Sequence, residues 1–570
     1  MEGVGLEGKM EKPKKKRILL LYADKYYLVK QVYPFGLDLI ANYMIQHGYD
    51  ATIQYPFLPD LDLETNLVNI LNQTNPHFIG LGIRNLDTCM SCEKYGDYRG
   101  NEFSTFYFLR DVKRIVEIIK KHTPDLPIIA GGGGFTISPV AILKYLGIEY
   151  GVVGEGEEPL RQFVNVFPDK EKISRIPNMV CSKIGTTIQS PLEREGQGEG
   201  NFMVNPRRAY TFDRNIRVSE RESRFNYAYE TVGLPVQVKR GCNQRCSYCV
   251  EPIIEGRKFV FREIECVIEE LKNISETSHG ISTIYFVDTE FNIPDLTYCS
   301  GLIKRIIEED LHRRFSFSSQ LLPKPFDSDF AKILAKAGFS IIFTFDSFAD
   351  DVLKKNQVSY REEDIINTLK LCEEYGLSCT ISMIFGLPGE SYETIDHSLK
   401  QMNKYPPHFL RRYEYTIGGR IYQDTALCRF IEKMEEKKYL YGTKSEGYLE
   451  PFYFCSPDSP MKLKQYIEGA LGYSVSYENY YDKTISRGLA LAFLADQGMW
   501  EEVIEKYSGS DLSVQSNIYD YLFRKMTEAE RVDNARAISE KLLAAIQEND
   551  ESGQYQDQID IIKFYLSCLQ

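Results

Sequence analysis

Gly241-Cys242-Asn243-Gln244-Arg245-Cys246-Ser247-Tyr248-Cys249 is the stretch on which the reading of the chain turns. Its thiols stand at C-x3-C-x2-C spacing, directly after Val236-Gln237-Val238-Lys239, an alternating run that predicts a strand. Thiolates gathered on one short loop can take three corners of an iron–sulfur cube and leave one iron open, because no fourth Cys lies close by in sequence. Structural zinc, the competing metal, closes its shell with four protein ligands and brings a second Cys or His pair at defined spacing. No such pair is evident downstream.

C-terminal to the loop, apolar runs over 284–287, 315–318, 341–345, 379–385 and 412–417 alternate with helical stretches such as 264–274 and 363–375. Six strand–helix units over 233–455 predict a partial (β/α)6 barrel whose working face is the C-terminal rim of its strands. N-terminal to the loop, residues 17–167 give strands over 18–23, 51–55, 78–83, 127–132 and 150–153, with helices near 37–45, 63–73, 104–122, 139–146 and 157–167. This alternation predicts an α/β, doubly wound, Rossmann-like domain with its ligand beyond the carboxyl ends of the strands. Residues 1–16 read as a flexible tail, 168–232 as a connector with an exposed tip at 193–200, and 456–570 as a helical C-terminal domain with helices over 485–494, 501–507 and 535–546.

A length of 570 residues suits three or so domains, and 43% apolar with 26% charged residues is ordinary for a globular chain. The balance of 68 basic against 81 acidic residues, a net −13, disfavours duplex nucleic acid as a partner. No run of 18 apolar residues occurs, and the basic stretch at 12–17 precedes too few apolar residues for a signal peptide, so a cytoplasmic protein is expected. Thirteen Cys without an export signal suit reduced thiols better than a disulfide framework.

The cysteine loop resembles the signature of the radical S-adenosylmethionine superfamily, C-x3-C-x-aromatic-C after the first strand of a partial barrel. The resemblance implies that Cys242, Cys246 and Cys249 hold a [4Fe–4S] cluster whose open iron is chelated by S-adenosylmethionine, and it places Tyr248 near the adenine. Phe286-Val287-Asp288-Thr289-Glu290-Phe291 stands where many relatives carry Gly-Gly-Glu. This departure leaves Asp288, Thr289 and Glu290 as candidates to meet the methionyl amine, which needs an anionic or carbonyl acceptor where water is excluded. Ser318 and Gln320 at a strand end, Asp346 and Ser347 in Phe345-Asp346-Ser347, and Phe385 and Gly386 in Ile384-Phe385-Gly386-Leu387-Pro388-Gly389-Glu390 complete the implied S-adenosylmethionine site.

In the first domain, glycine-bearing segments fall at strand ends, where glycine lets a backbone approach a bulky ligand. They do not form a dinucleotide fingerprint, which would follow the first strand. Pro34-Phe35-Gly36-Leu37, Gly131-Gly132-Gly133-Gly134-Phe135 and Gly154-Glu155-Gly156-Glu157 together resemble the cobalamin-binding domain that precedes the barrel in one large branch of the superfamily. The resemblance covers about 17–455 and implies a corrin held between the two domains by these segments. Asp310-Leu311-His312 lacks the Gly of the usual axial-His motif and lies in the barrel, so no axial His is expected. Arg84 and Asn85, after the third strand, are expected at the lower corrin face; the alternative is an Arg84–Asp87 pair.

The function implied is transfer of a methyl group from methylcobalamin to carbon, with S-adenosylmethionine as methyl source and radical precursor. Alternatives within the branch are cyclisation or ring rearrangement and a polar, non-radical methyl transfer; a cobalamin or cluster sensor is an alternative outside catalysis. The partners implied are a small-molecule or peptide substrate and an electron donor such as flavodoxin or ferredoxin.

Overall fold

The structure, a computed structural model, describes residues 15–25, 32–58, 61–182, 202–207, 233–277, 281–435, 437–472, 483–549 and 555–569. The expected tip at 193–200 and residues 1–14 of the expected tail lie outside the described residues. The first sheet is built from β1 (Arg17–Tyr22), β2 (Asp50–Gln54) and β3 (Phe78–Gly82), followed after a hairpin of β4 (Tyr98–Gly100) and β5 (Phe103–Thr105) by β6 (Ile128–Gly131) and β7 (Tyr150–Val152). Two more strands, β8 (Met179–Ser182) and β9 (Phe202–Val204), extend it to the order β2-β1-β3-β6-β7-β8-β9.

The first five of these sheet strands run parallel, as a doubly wound domain requires, while β8 and β9 add on antiparallel. Both added strands come from the segment read as a connector, whose described parts therefore belong to the sheet. Leu19 and Leu21 of β1 are fully buried, as expected of a central parallel strand covered by helices on both faces. The order reverses between β1 and β3, so a crevice opens at the ends of those strands, beside Asp24 and Arg84. The helix expected from residue 104 starts instead at Leu109, because Phe103–Thr105 pairs with Tyr98–Gly100 in the hairpin.

The second sheet contains β10 (Leu234–Val236), then β13 (Thr283–Phe286), β14 (Ser316–Leu321), β15 (Phe339–Asp346), β16 (Ser378–Phe385) and β17 (Arg411–Ile417), all parallel and in sequential order. Between β10 and β13, β11 (Lys239–Arg240) and β12 (Val260–Phe261) form an antiparallel pair that brackets the cysteine loop. Side chains alternate along the barrel strands. Phe317, Ser319 and Leu321 of β14 face the buried layer under the helices, while Ser318 and Gln320 are half-buried on the other face. The same division sets Thr344 against Phe343 and Phe345, and Ile384 against Met383 and Phe385. The half-buried face is richer in hydroxyls and amides, as befits the wall of a barrel cavity.

A small sheet of β18 (Gly419–Arg420), β19 (Leu440–Gly442) and β20 (Phe452–Phe454) follows. Beyond it lie helices Pro460–Leu471, Lys483–Asp496, Trp500–Ser508, Leu512–Glu528, Val532–Asn549 and Gln556–Cys568. Pro460–Leu471, Leu512–Glu528 and Gln556–Cys568 escaped the sequence reading because their apolar positions are mixed with Gln, Asn, Asp, Glu and Lys. Cores interpenetrate across the domains: Tyr422 and Leu449 pack into the first core with Val250 and Ile254 against it, and Cys92 packs into the barrel core. No helix among the described residues is long and apolar enough to cross a membrane.

Candidate active site between the two sheets

The cysteine loop is held by its backbone and its neighbours rather than by its thiols. Cys242 N–H donates to Gly256 O at 3.0 Å, and Ser247 donates to Asn356 through both its N–H (2.9 Å, to the carbonyl) and its hydroxyl (2.7 Å, to Oδ1). Asn356 is fully buried and also ties Val352 and Pro388, so one side chain joins the loop to the Gly-Leu-Pro-Gly-Glu turn. At Gly241, φ is +103° and a Cβ would strike Lys258 O, so glycine is required.

Asp288 and Thr289 serve the same loop. Asp288 Oδ1 accepts from the N–H groups of Val238 and Lys239 at 3.0 Å each, and the Thr289 hydroxyl donates to Gly241 O at 3.1 Å. Asp288 Oδ1 and the Thr289 hydroxyl, on residues expected to meet S-adenosylmethionine, are thus engaged with the loop backbone. Ser347 is likewise fully buried, with its hydroxyl accepting from Ala349 N–H and contacting Ser398 Oγ. The Phe385 ring lies in the buried layer against Tyr415, leaving Ile384 on the cavity face, and Gly386 is demanded by its closeness to Cys455 Sγ and Gly418 N.

Three carboxylates remain around the loop. Glu290 accepts from Thr344 Oγ1 at 2.9 Å, yet its Oε2 is buried without a partner, and burial pushes its pKa up to about 8. Asp288 Oδ2 is also unpartnered, and burial raises Asp288 to about 6. Asp346 sits at a β-bulge with φ +55°, a conformation unfavourable outside glycine, and burial raises it to about 6 against the pull of the Tyr248 and Tyr360 hydroxyls. Unpaired buried carboxylate oxygens are costly unless a cation meets them. A cationic ligand such as S-adenosylmethionine would supply that charge, and beside these acids Tyr248 and Ile384 pack against the apolar cluster of Ala349, Val352 and Leu387.

Among the described residues, no three His, Cys, Asp or Glu side chains converge closely enough to hold a single metal ion. Burial nevertheless raises all three loop thiols, and Cys242 adds to the rise of Cys246 and both of these to that of Cys249. A cubane places each thiolate on a different iron, so it suits thiols spread around a space better than thiols drawn to one point.

On the facing domain, Arg84 projects from the end of β3, half-exposed, 4.0 Å from the fully buried Asp24 carboxylate. Asn85, with its amide oriented to satisfy both ends, accepts from Arg84 Nη1 at 2.9 Å. Asp87 pairs with Arg420 at 2.8 Å instead, so the expected alternative, an Arg84–Asp87 pair, is not formed. Arg84 is also close enough to draw down Glu251, next to the cysteine loop, and Tyr285, on the barrel face. Val250 and Ile254, just after the cysteine loop, pack against the first-domain core with Ile254 beside Gly133, so the two rims adjoin.

Gly36 is exposed with open room at its Cβ position, and Gly133 faces Ile254. Gly132 and Gly134 instead lie against the backbone of Ile83 and Arg84, and Gly134 N–H donates to Arg84 O at 2.8 Å. These two glycines thus shape the turn that presents Arg84. Phe135 is fully buried over Gly151, and Leu37 covers Gly82, next to the buried Pro34. Gly131 ends β6 with ordinary space around it, Gly154 turns at φ +68° and Gly156 meets Ile40, while Glu155 and Glu157 both face Arg240. The rim between β1 and β3 thus presents open Gly36 and the Arg84 turn.

The described histidines are engaged away from this rim: His47 with Tyr43, His77 with Arg17, His122 with Glu64 and His397 with Glu362, while His312 and His408 lie in the barrel domain. Cys89 and Cys92 diverge, Cys89 Sγ lying 2.9 Å from Tyr422 Oη and Cys92 in the barrel core, so they do not act as a pair.

Glu390 of the Gly-Leu-Pro-Gly-Glu turn is 4% exposed and accepts from Thr394 Oγ1 and Gly386 N–H. Burial raises it from 4.5 to about 7. A raised acid contributes stability that is present below its unfolded value and lost as pH rises through its folded value. Glu390→Gln is therefore expected to remove part of the fall in stability between pH 4.5 and about 7, read by urea unfolding across that window. An unchanged slope would contradict the assignment.

Sequence comparison agrees with this geometry. Residues 236–402 match the radical SAM superfamily, and residues 104–164 match the B12 binding domain. The tryptophan 2-C-methyltransferase of Streptomyces laurentii is 25% identical over 420 residues, 65% of this chain and 67% of that protein. The radical S-adenosylmethionine methyltransferase TsrM of Kitasatospora setae, solved with cobalamin and a [4Fe-4S] cluster, superposes with TM-score 0.66 at 20% identity over 86% of this chain and 99% of that one. The cobalamin-dependent S-adenosylmethionine radical enzyme OxsB, with aqua-cobalamin and S-adenosylmethionine, covers 97% of this chain and 75% of that one with TM-score 0.58 at 13% identity. These structural likenesses are of fold. The chain therefore carries a B12 binding domain followed by a radical SAM domain, and in this pairing it is similar to the cobalamin-binding enzymes of the radical S-adenosylmethionine superfamily.

Proposed function

We propose that this protein transfers a methyl group from S-adenosylmethionine, by way of cobalamin, to a carbon atom of a small-molecule or peptide substrate. The observation that carries the reading is the packing of Val250 and Ile254, just after the cysteine loop, against the end of the first sheet, where Gly133 and Arg84 stand. When bound, the cluster supplies single electrons and the corrin a cobalt that accepts and donates methyl, chemistry that belongs to the cofactors.

The residues of the chain position and enclose. Cys242, Cys246 and Cys249 hold the cluster, with Asn356, Asp288 and Thr289 fixing their loop. Glu290 and Asp346 meet the cationic groups of S-adenosylmethionine, and Tyr248 with Ile384 flanks its adenine. Arg84 would stand against the corrin as a cation that cannot ligate its cobalt, leaving the metal without a protein ligand from this side chain. Ser318, Gln320 and Thr344 line the barrel wall on the half-buried face, where a polar substrate group can be oriented. A cytoplasmic setting and reduction by a flavodoxin or ferredoxin suit the free thiols.

The relative named a tryptophan 2-C-methyltransferase makes an indole-bearing amino acid the first substrate to test. Protein reconstituted anaerobically with iron, sulfide and cobalamin, and given methyl-labelled S-adenosylmethionine with tryptophan, tryptophan-containing peptides and small-molecule extracts, is expected to place label on carbon of one acceptor. Label that never leaves S-adenosylmethionine for cobalt or carbon would contradict methyl transfer.

A further inference from the structure

Glu155 and Glu157 stand at the rim of the first sheet, where their glycine-rich segment was expected to touch the corrin, but both reach Arg240. Arg240 Nη1 lies 3.3 Å from Glu155 Oε1 and Nη2 3.1 Å from Glu157 Oε1, with side chains only 13%, 16% and 17% exposed. Arg240 immediately precedes Gly241 and the first cysteine, and its Nε donates to Gln237 Oε1 at 3.1 Å. On the other side of the loop, Glu255 Oε2 accepts from Gly241 N–H at 3.0 Å. Arg207, from the extended end of the first domain, donates to the carbonyls of Ile253 and Ile254, and its charge is felt by Glu155 and Glu255. Two cations and three anions thus run from the rim of one domain to both ends of the cysteine loop. At this level of burial such pairs are little screened by salt, and removing one member leaves its partners uncompensated.

We propose that this charged bridge, centred on Arg240, is a positioning device that couples corrin binding on the first domain to cluster assembly on the barrel loop; it rests on the function proposed above. Ordering the Glu155–Glu157 segment around a corrin fixes the carboxylates that hold Arg240, and assembly of the cluster fixes the loop from which Arg240 projects. Coupling of this kind is reciprocal by thermodynamic necessity.

The test titrates hydroxocobalamin into the full chain with its cluster assembled and into the same protein stripped of iron by chelation. Wild type is expected to bind the corrinoid roughly 5- to 150-fold more tightly with the cluster present. In Arg240→Gln that ratio is expected to fall toward unity, and the exchange Arg240→Glu with Glu157→Arg is expected to restore much of it. Where Arg240→Gln folds poorly, Glu157→Gln serves, with an intermediate ratio expected. A wild-type ratio near unity, a ratio unchanged in Arg240→Gln or Glu157→Gln, or a charge exchange no better than Arg240→Glu alone, would overturn the bridge and leave the proposed function standing. Failure of wild type to bind the corrinoid in either state would overturn both.

Discussion

Cys246→Ala is expected to bring iron and acid-labile sulfide down to background and S-adenosylmethionine turnover below detection, while the protein stays folded and still binds a corrinoid, more weakly. Loss of an outer-shell partner at a metal site costs roughly 10–100-fold, and loss of a ligand costs more. Replacement by another thiol is barred by geometry, since Cys89 is engaged with Tyr422 and Cys92 lies in the barrel core. The fold survives because the loop is tied through Cys242 N–H to Gly256 and through Ser247 to Asn356, none of which needs the Cys246 sulfur. Metal and sulfide analysis beside circular dichroism checks this. A full complement of both in the variant would contradict the ligand assignment.

Arg420→Leu is expected to have the largest effect on stability. Its guanidinium is 2% exposed and pairs at 2.8 Å with Asp87, which is fully buried, and it also donates to Ile421 O and Tyr448 O. Removing one member of such a pair leaves a buried charge uncompensated and costs about 3–5 kcal/mol. Because Asp87 belongs to the first domain and Arg420 follows the last barrel strand, the loss should lower the first unfolding transition of a multidomain protein rather than shift one global midpoint. Adding Asp87→Leu should recover part of it, since two apolar groups remove the stranded charge, although Asp87 also accepts from Cys89 N–H. Equal transitions in wild type and Arg420→Leu would contradict the account.

Much of the architecture was legible because strands and helices alternate with distinct periods in both halves of the chain. The five parallel strands of the first sheet and the six of the barrel follow that reading. What escaped lacks periodicity: the hairpin at 98–105 is too short to alternate, and β8 and β9 lie in a stretch that reads as irregular. The cysteine triplet was legible because three reactive side chains of one type fell at fixed spacing. The acids were not separable by sequence. Asp288 and Glu290 are two residues apart and each leaves one oxygen unpartnered, yet Asp288 Oδ1 holds the loop backbone while Glu290 Oε1 accepts from the Thr344 hydroxyl. Glycines carried a similar ambiguity, since Gly36 opens onto free space while Gly132 and Gly134 exist to clear the Arg84 turn. Asn356, Arg240 and Arg420 had no local signal, because each acts on a segment far away in sequence.

One chain is expected to hold a cubane on the barrel loop and a corrin on the first domain. Anaerobic reconstitution with iron, sulfide and hydroxocobalamin, followed by desalting and metal analysis, tests it most directly. The expected result is about four irons and about one cobalt retained per chain, with the irons lost and cobalt retained when the three loop cysteines are replaced by alanine. Zinc in place of iron, or a corrin that washes away entirely from the reconstituted protein, would contradict it.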